Sequence, residues 1–241
     1  MRRVWGLADI HRRQKWAALS PYLSLLPARA RLLDAGCGEG AWSLELAALH
    51  PQWSITAIDK DLDRLKTAEA ARQRLHLDNV SFTATDFFSF QSAEPFDAVL
   101  SVASAHYLVH AGSGHELFAR FAEWLRPGGY LFLFSPRRGR ETPYYRGLPV
   151  PAIPSLFGAD ELTTLTKSSG LTIHILHPAI HGPGAIAKQL DTLAGKSHLL
   201  RFGFYPLEIL LNELDRRLPF DPAGKSCAWV MVALKRTASL A

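Results

Sequence analysis

The amino-acid sequence predicts an α/β protein: a doubly wound, mostly parallel sheet of seven strands with a helical cap before it and a helical insertion near its end. Two observations predict this. Between residues 31 and 136, short apolar runs alternate with longer segments rich in Ala, Leu, Arg and Glu, the pattern of buried parallel strands joined by crossover helices. The first of these strands also runs straight into three closely spaced glycines, Gly36, Gly38 and Gly40, and then into a helix.

Each element follows from local pattern. Leu7 to Leu26 reads as helical, with Pro21 after Ser20 starting a second short helix, because proline suits a first helical turn. Arg31–Ala35, Ser54–Ile58, Val80–Ala84, Phe96–Val102 and Tyr130–Ser135 read as strands, and Ala41–Leu49, Leu62–Leu77 and His115–Leu125 as helices. From Ser135 to Gly158 the chain holds five prolines, three glycines and four arginines and reads as a loop. Asp160–Ser168 is then predicted as a helix stopped by Gly170, and Leu171–Leu176 as a strand. Residues 178–224 read as a helical insertion, and Cys227–Leu234 as the closing strand. The organisation expected is one domain over 1–241, divided into a cap (1–30), a core (31–136) and a remainder (137–241).

Composition excludes several classes. With 241 residues, 48% of them hydrophobic, the chain is neither disordered nor too short for a substantial core. Two cysteines suit a reducing compartment rather than a disulfide framework. No apolar run approaches the roughly 18–20 residues that cross a bilayer, and no signal-peptide core follows Met1-Arg2-Arg3. A cytoplasmic protein is expected. The net charge of +5 divides unevenly: seven bases face one acid in 1–31, seven face thirteen in 32–136, and thirteen face eight in 137–241. An acidic middle is thus flanked by two basic ends.

The chemistry is concentrated at strand ends, where ligands of such sheets bind. Leu32-Leu33-Asp34-Ala35-Gly36-Cys37-Gly38-Glu39-Gly40 brings a strand, an acid and three glycines to the N-terminus of a helix. Glycine serves where backbone turns sharply or approaches another group closely, and the helix start adds oriented N–H donors. The third glycine comes one position too early for the dinucleotide fingerprint G-x-G-x-x-G, which argues against a nicotinamide dehydrogenase. Asp59 ends the second strand, where a carboxylate can accept both ribose hydroxyls, while Asp61 is the natural cap of the helix that follows. Asp86 ends the third strand, placed to accept an exocyclic amine proton from adenine, with Phe87 beside it.

These residues resemble the class I S-adenosylmethionine-dependent methyltransferases. The matching pieces are LLDAGCGEG at 32–40, ITAIDKD at 55–61, FTATDFF at 82–88, PFDAVLSVASAHYL at 95–108 and LRPGGYLFLFSP at 125–136. The resemblance implies a Rossmann-like sheet with an antiparallel last strand, and S-adenosylmethionine as cofactor with S-adenosylhomocysteine as product. It places Asp34, Gly36 and Gly38, with Cys37 and Gly40 in the same loop, around the methionine part. It gives Asp59, followed by Lys60, to the ribose, Asp86 and Phe87 to adenine, and Ser101 and Val102 to the methyl end.

Alignment of nucleophile, methyl and sulfur accounts for much of the catalysis of such a displacement. What remains is the acceptor's proton. His106, after the fourth strand, is the candidate base, at its usual pKa of about 6.5, or else a helix-capping or supporting histidine. Tyr107 is the weaker candidate. A metal set from His106, His110 and His115 is disfavoured, since spacings of four and five share no helical face cleanly and no acid or cysteine completes it. Subclasses are set aside by their missing motifs. Ser101-Val102-Ala103-Ser104 stands where nucleic-acid-type amino methyltransferases carry Asn/Asp-Pro-Pro-aromatic, and where metal-dependent catechol-type and polyamine-forming relatives carry acids. Neither Cys37 nor Cys227 fits a C5-methylating thiolate. The expectation is metal-independent methylation of an O, N or C nucleophile on a small or medium organic acceptor, anionic or hydrophobic. Arg137, Arg138 and Arg140 with Tyr144 form either a solvated loop or a clamp for an acceptor phosphate or carboxylate. The alternatives are RNA or protein methylation through the basic flanks, and a non-catalytic S-adenosylmethionine-binding protein. Phe204, Leu207, Leu210, Leu211, Leu214 and Leu218 recur at helical spacing, read as core, as a lid over an apolar acceptor, or as a membrane-surface contact.

Overall fold

The structure, a computed structural model, describes residues 10–108, 113–138, 157–180, 183–184, 186–187, 190, 193, 197–217, 226 and 228–237. Seven strands form one sheet: β1 (Arg31–Ala35), β2 (Ser54–Asp59), β3 (Val80–Ala84), β4 (Phe96–Val102), β5 (Leu125–Pro136), β6 (Leu171–Ala179) and β7 (Ala228–Lys235). Their spatial order is β3-β2-β1-β4-β5-β7-β6. β1 to β5 run parallel, and β7 lies antiparallel to both neighbours. The chain winds outward from β1 to β3 and then returns to β4 on the other side of β1. This reversal opens a crevice beyond the carboxyl ends of β1 and β4.

The helices are α1 (Ile10–Leu19), α2 (Ala41–Leu49), α3 (Leu62–Arg74), α4 (Ala105–Leu108), α5 (Gly114–Trp124), α6 (Ala159–Ser168) and α7 (His198–Arg217). Strand residues alternate between two cores. Leu32, Ile55, Leu100, Phe132, Phe134 and Val230 pack with Trp16, Leu19, Trp42 and Leu46 on one face. Leu33, Val99, Leu131, Leu133 and Met231 pack with Phe118, Phe121, Leu162 and Leu165 on the other. Each such side chain, when fully buried, contributes about 1.5–3 kcal/mol of transfer free energy, so burial on both faces explains why these strands read as unbroken apolar runs.

Several boundaries differ from the sequence expectation, each for a physical reason. Pro21 ends α1 at Leu19 and begins a 3-10 turn over Ser20–Leu25 instead of an α-helix. β5 starts at Leu125, paired with Phe96, and its register then shifts. Gly128, at φ +80°, sits within that shifted stretch. Helix α5 therefore ends at Trp124. α3 stops at Arg74, with His76 at φ +51° just beyond it. α7 begins six residues before Phe204 and continues through Pro206.

The largest departure is the orientation of α7. Leu207, Leu210 and Leu214, read from the sequence as core, as a lid or as a membrane-surface contact, are exposed, whereas Glu208 on the opposite side is buried. The helix joins α1 through polar groups: Gln14 Nε2 donates to Asn212 Oδ1 at 2.7 Å and to the Gly184 carbonyl at 2.7 Å.

Candidate functional site

The loop after β1 is built from left-handed backbone. Gly36, Gly38 and Gly40 have φ of +81°, +57° and +72°, a region that residues with a Cβ rarely adopt. The neighbouring protein groups explain the glycines further. A Cβ on Gly36 would lie 2.4 Å from Ser104 Cβ, and one on Gly40 would lie 2.7 Å from the Phe82 ring. The Gly36 and Cys37 N–H groups both donate to the Ile58 carbonyl, at 2.9 and 3.0 Å, which pins the turn across the end of β2.

Asp34 is buried beneath this loop and accepts a 2.6 Å hydrogen bond from Ser43 Oγ in the first turns of α2. Burial pushes its carboxyl up to about 6, opposed by the Ser43 hydroxyl and reinforced by the charge of Asp59. Among the described residues no basic side chain pairs with this carboxylate, and a cation would relieve it. Beside Ser43 in α2, the Trp42 indole N–H is buried with no hydrogen-bond acceptor among the described residues, and its ring packs 4.8 Å from that of Trp16. The Cys37 thiol is held protonated, chiefly by burial, so it is no nucleophile.

Asp59 is oriented by two backbone donors, Gly38 N–H at 2.7 Å and Asp61 N–H at 3.0 Å. Each carboxylate oxygen retains a second acceptor direction. Asp61 takes the capping role, accepting from the N–H groups of Asp63 and Arg64 at 3.1 Å. Lys60 is exposed between them. Asp86 is exposed and holds its own turn through Phe88 N–H at 2.9 Å. The Phe87 ring, expected beside an adenine, is turned into the core against Phe121 at 5.3 Å and Trp124 at 4.7 Å. Burial of an aromatic ring outweighs its display at a pocket rim, so Phe87 offers a ligand its backbone.

At the end of β4, Ser101 Oγ and Ser104 Oγ lie 2.8 Å apart, and Ser104 Oγ donates to the Ala35 carbonyl at 2.7 Å. These hydroxyls clasp β4 to β1, so the buried Ser101 acts as a tie while the half-buried Val102 follows it. Ala103 adopts φ +59°, unusual for alanine, and donates to the Phe134 carbonyl at 2.8 Å. His106 is buried in α4, its pKa lowered to about 3 by burial first and by the nearby charge of Lys15 second. Its ring centroid is 4.2 Å from that of Tyr107, which is half-exposed. Ser43, Ser104, Lys15 and Trp42 escaped sequence reasoning because each acts across a long sequence separation or a turn of helix. Only the small polar residue just inside a helix, Ser43, carried a local signal.

Both described arginines of the basic segment are engaged by the protein. Arg137 donates to Ser226 Oγ at 2.9 Å and stacks over Trp229, 4.6 Å from the ring centroid. Arg138 pairs with Glu161 at 2.7 Å. Arg140 and Tyr144 lie outside the described residues, as does His110. Among the described residues no three His, Cys, Asp or Glu side chains converge as a metal set, and no helix is long and apolar enough to cross a membrane.

Residues 32–129 match the family model for a methyltransferase domain. The chain is 32% identical over 130 residues to a release factor glutamine methyltransferase of Shewanella oneidensis, covering 45% of this chain and 46% of that protein. It is 34% identical over 110 residues to a ubiquinone biosynthesis O-methyltransferase of a Caulobacter species, covering 45% and 41%. The chain thus spans under half the length of these two relatives. Geranyl diphosphate C-methyltransferase from Streptomyces coelicolor shares the fold, with a TM-score of 0.65 at 16% identity over 95% of this chain and 82% of that one.

Proposed function

We propose that the chain, whose residues 32–129 match a methyltransferase-domain model and whose motifs resemble the class I S-adenosylmethionine-dependent methyltransferases, methylates an O, N or C nucleophile of a small or medium organic acceptor without a metal. The observation that carries this reading is Asp34: a buried carboxylate under a left-handed glycine loop, raised to about 6 and with no cationic partner among the described residues. The residues present fit the cofactor. Asp34 would face its cationic methionine end, Asp59 its ribose hydroxyls, and Asp86 with the Phe87 backbone its adenine. When bound, the cofactor supplies a methyl group on a sulfonium, ready for in-line displacement.

The low pKa of His106, caused chiefly by its burial, supports a role other than that of an ordinary base. An imidazole with a pKa of about 3 cannot hold the proton of a phenol of pKa about 10: the transfer is uphill by roughly 7 units, about 10 kcal/mol. His106 is therefore a neutral hydrogen-bond acceptor that orients the nucleophile. It receives the proton only as methylation makes that proton strongly acidic. His106→Ala is expected to lower turnover about 10- to 100-fold with little change in cofactor affinity. The wild-type rate should show no limb near pH 6.5. A limb there, abolished in the variant, would return His106 to the role of an ordinary base.

The likeness to a glutamine methyltransferase raises a protein acceptor as a second reading. The sequence after β4, Ser101-Val102-Ala103-Ser104, lacks the Asn/Asp-Pro-Pro-aromatic motif of nucleic-acid-type amino methyltransferases, which speaks against a nucleic-acid amino acceptor. Titration calorimetry tests the proposal at its base: S-adenosylhomocysteine should bind and NAD should not. The reverse result would sink it.

A further inference from the structure

Three successive side chains of α1 reach three different elements, as a rotation of about 100° per residue requires. Gln14 reaches α7, donating to Asn212 Oδ1 and to the Gly184 carbonyl, both at 2.7 Å. Trp16 packs its ring 4.8 Å from that of Trp42 on α2. Lys15, half-buried, points between these two directions, and its Nζ stands 5.9 Å from the centroid of the Phe134 ring. Phe134 is the register partner of Val102 at the end of β4, and its carbonyl accepts the Ala103 N–H at 2.8 Å. The ammonium therefore lies over the joined carboxyl ends of β4 and β5, where the chain enters α4 and His106. Contacts on α7 and on α2 fix the helix that carries it.

A cation at this place selects what can bind beside it. The charge of Lys15 adds to burial in lowering the pKa of His106. A field that disfavours a proton on His106 favours a negative charge in the same space. The described arginines of the basic loop are engaged elsewhere, Arg137 with Ser226 and Trp229 and Arg138 with Glu161. An ammonium carries three donors, so a bond to the protein leaves others for a ligand oxygen. One such cation balances the single charge of a carboxylate, whereas a phosphate monoester, with about −1.5 to −2, needs a second. We propose that Lys15 anchors a carboxylate of the acceptor, leaving His106 to receive the hydrogen bond of the nucleophilic O–H or N–H. The inference rests on the methyl-transfer reading above and narrows its substrate class to small organic acids that carry the nucleophile apart from the acid group.

Titration by NMR with matched acids and amides tests the anchor. The probes are benzoate and benzamide, phenylacetate and phenylacetamide, and 4-hydroxybenzoate and 4-hydroxybenzamide, each added to the full chain with and without saturating S-adenosylhomocysteine. In at least one pair the wild type should bind the acid about ten- to a hundredfold more tightly than the amide. Lys15→Met, which keeps the apolar stem over Phe134, should abolish that preference with an unchanged circular dichroism spectrum. Lys15→Arg, which keeps the charge, should retain it, and so reports on the charge even if the Met variant fails to fold. Binding of the acid should also move the ring signals of His106, identified by their loss in His106→Ala. No preference for the acid in the wild type, an equal preference in Lys15→Met, its loss in a folded Lys15→Arg, or unmoved His106 signals would each overturn the proposal. Tighter binding of phenyl phosphate than of benzoate would overturn the carboxylate as the group held. If S-adenosylhomocysteine does not bind, the methyl-transfer reading fails, while the titrations without it still decide what Lys15 holds.

Discussion

Asp34→Asn is expected to make the ligand-free protein more stable at neutral pH while lowering cofactor affinity roughly 100-fold or more. The carboxyl of Asp34 is raised from 3.8 to about 6, mainly by burial. A folded-state pKa above the unfolded one gives stability that is full below about pH 3.8 and lost as the pH rises through 6. At pH 7 the ionised group costs the fold about 3 kcal/mol, and the variant removes that cost. His106 runs the other way. Its pKa falls from 6.5 to about 3, so the unfolded chain takes up a proton below 6.5 that the folded chain refuses, and stability drops with pH at up to about 1.4 kcal/mol per unit. Between about pH 4 and 6 the two trends nearly cancel in the wild type. The Asn variant should therefore melt at a higher temperature than wild type at pH 7 and lose that advantage by pH 4. Cofactor affinity of the wild type should itself weaken below about pH 6, with proton release on binding measurable by calorimetry in buffers of different ionisation enthalpy. An Asp34→Asn protein that is destabilised at every pH and binds normally would make Asp34 purely structural.

Gly36→Ala carries the second large effect, a loss of about 3 kcal/mol in unfolding free energy together with loss of cofactor binding. The left-handed backbone costs an alanine about 1–2 kcal/mol, and overlap with a packed neighbour adds about 1–3 kcal/mol. That neighbour cannot retreat, because Ser104 is held by hydrogen bonds to Ser101 and to the Ala35 carbonyl. Two controls separate the contributions in chemical denaturation. Gly170→Ala has the same sign of φ, +74°, with nothing within 4 Å of the new Cβ, and should lose only about 1 kcal/mol. Adding Ser104→Gly to Gly36→Ala should recover part of the overlap. Equal losses in Gly36→Ala and Gly170→Ala would show that backbone conformation alone sets the requirement.

Elements defined by local pattern were read closely. β4 and α2 occupy the residues expected, because Phe96–Val102 and Ala41–Leu49 are bounded by their own composition. Asp61 caps α3 as its position before Leu62 implies. Boundaries slipped where a distant partner intervenes, as where Leu125 joins β5 by pairing with Phe96. The positions of the candidate site residues divide the same way. Asp34, Asp59 and Asp86 are legible because strand ends converge in any such sheet, whereas the inward turn of the Phe87 ring depends on Phe121 and Trp124.

By itself, the sequence determined the order of strands and helices, the glycine turn and the acids that surround it, since these follow from periodicity, chirality and the conformations open to glycine. The tertiary structure alone decided three things. Ser104 is the group that forbids a side chain at Gly36. His106, ordinary in sequence, is driven to a pKa of about 3 by burial and by Lys15 from a helix some ninety residues earlier. α7, a leucine-rich helix that reads as core, presents its leucines outward because Gln14 and Gly184 hold its polar side against the protein. Dielectric surroundings and the direction a helix faces are set by neighbours distant in the chain, and no local pattern encodes them.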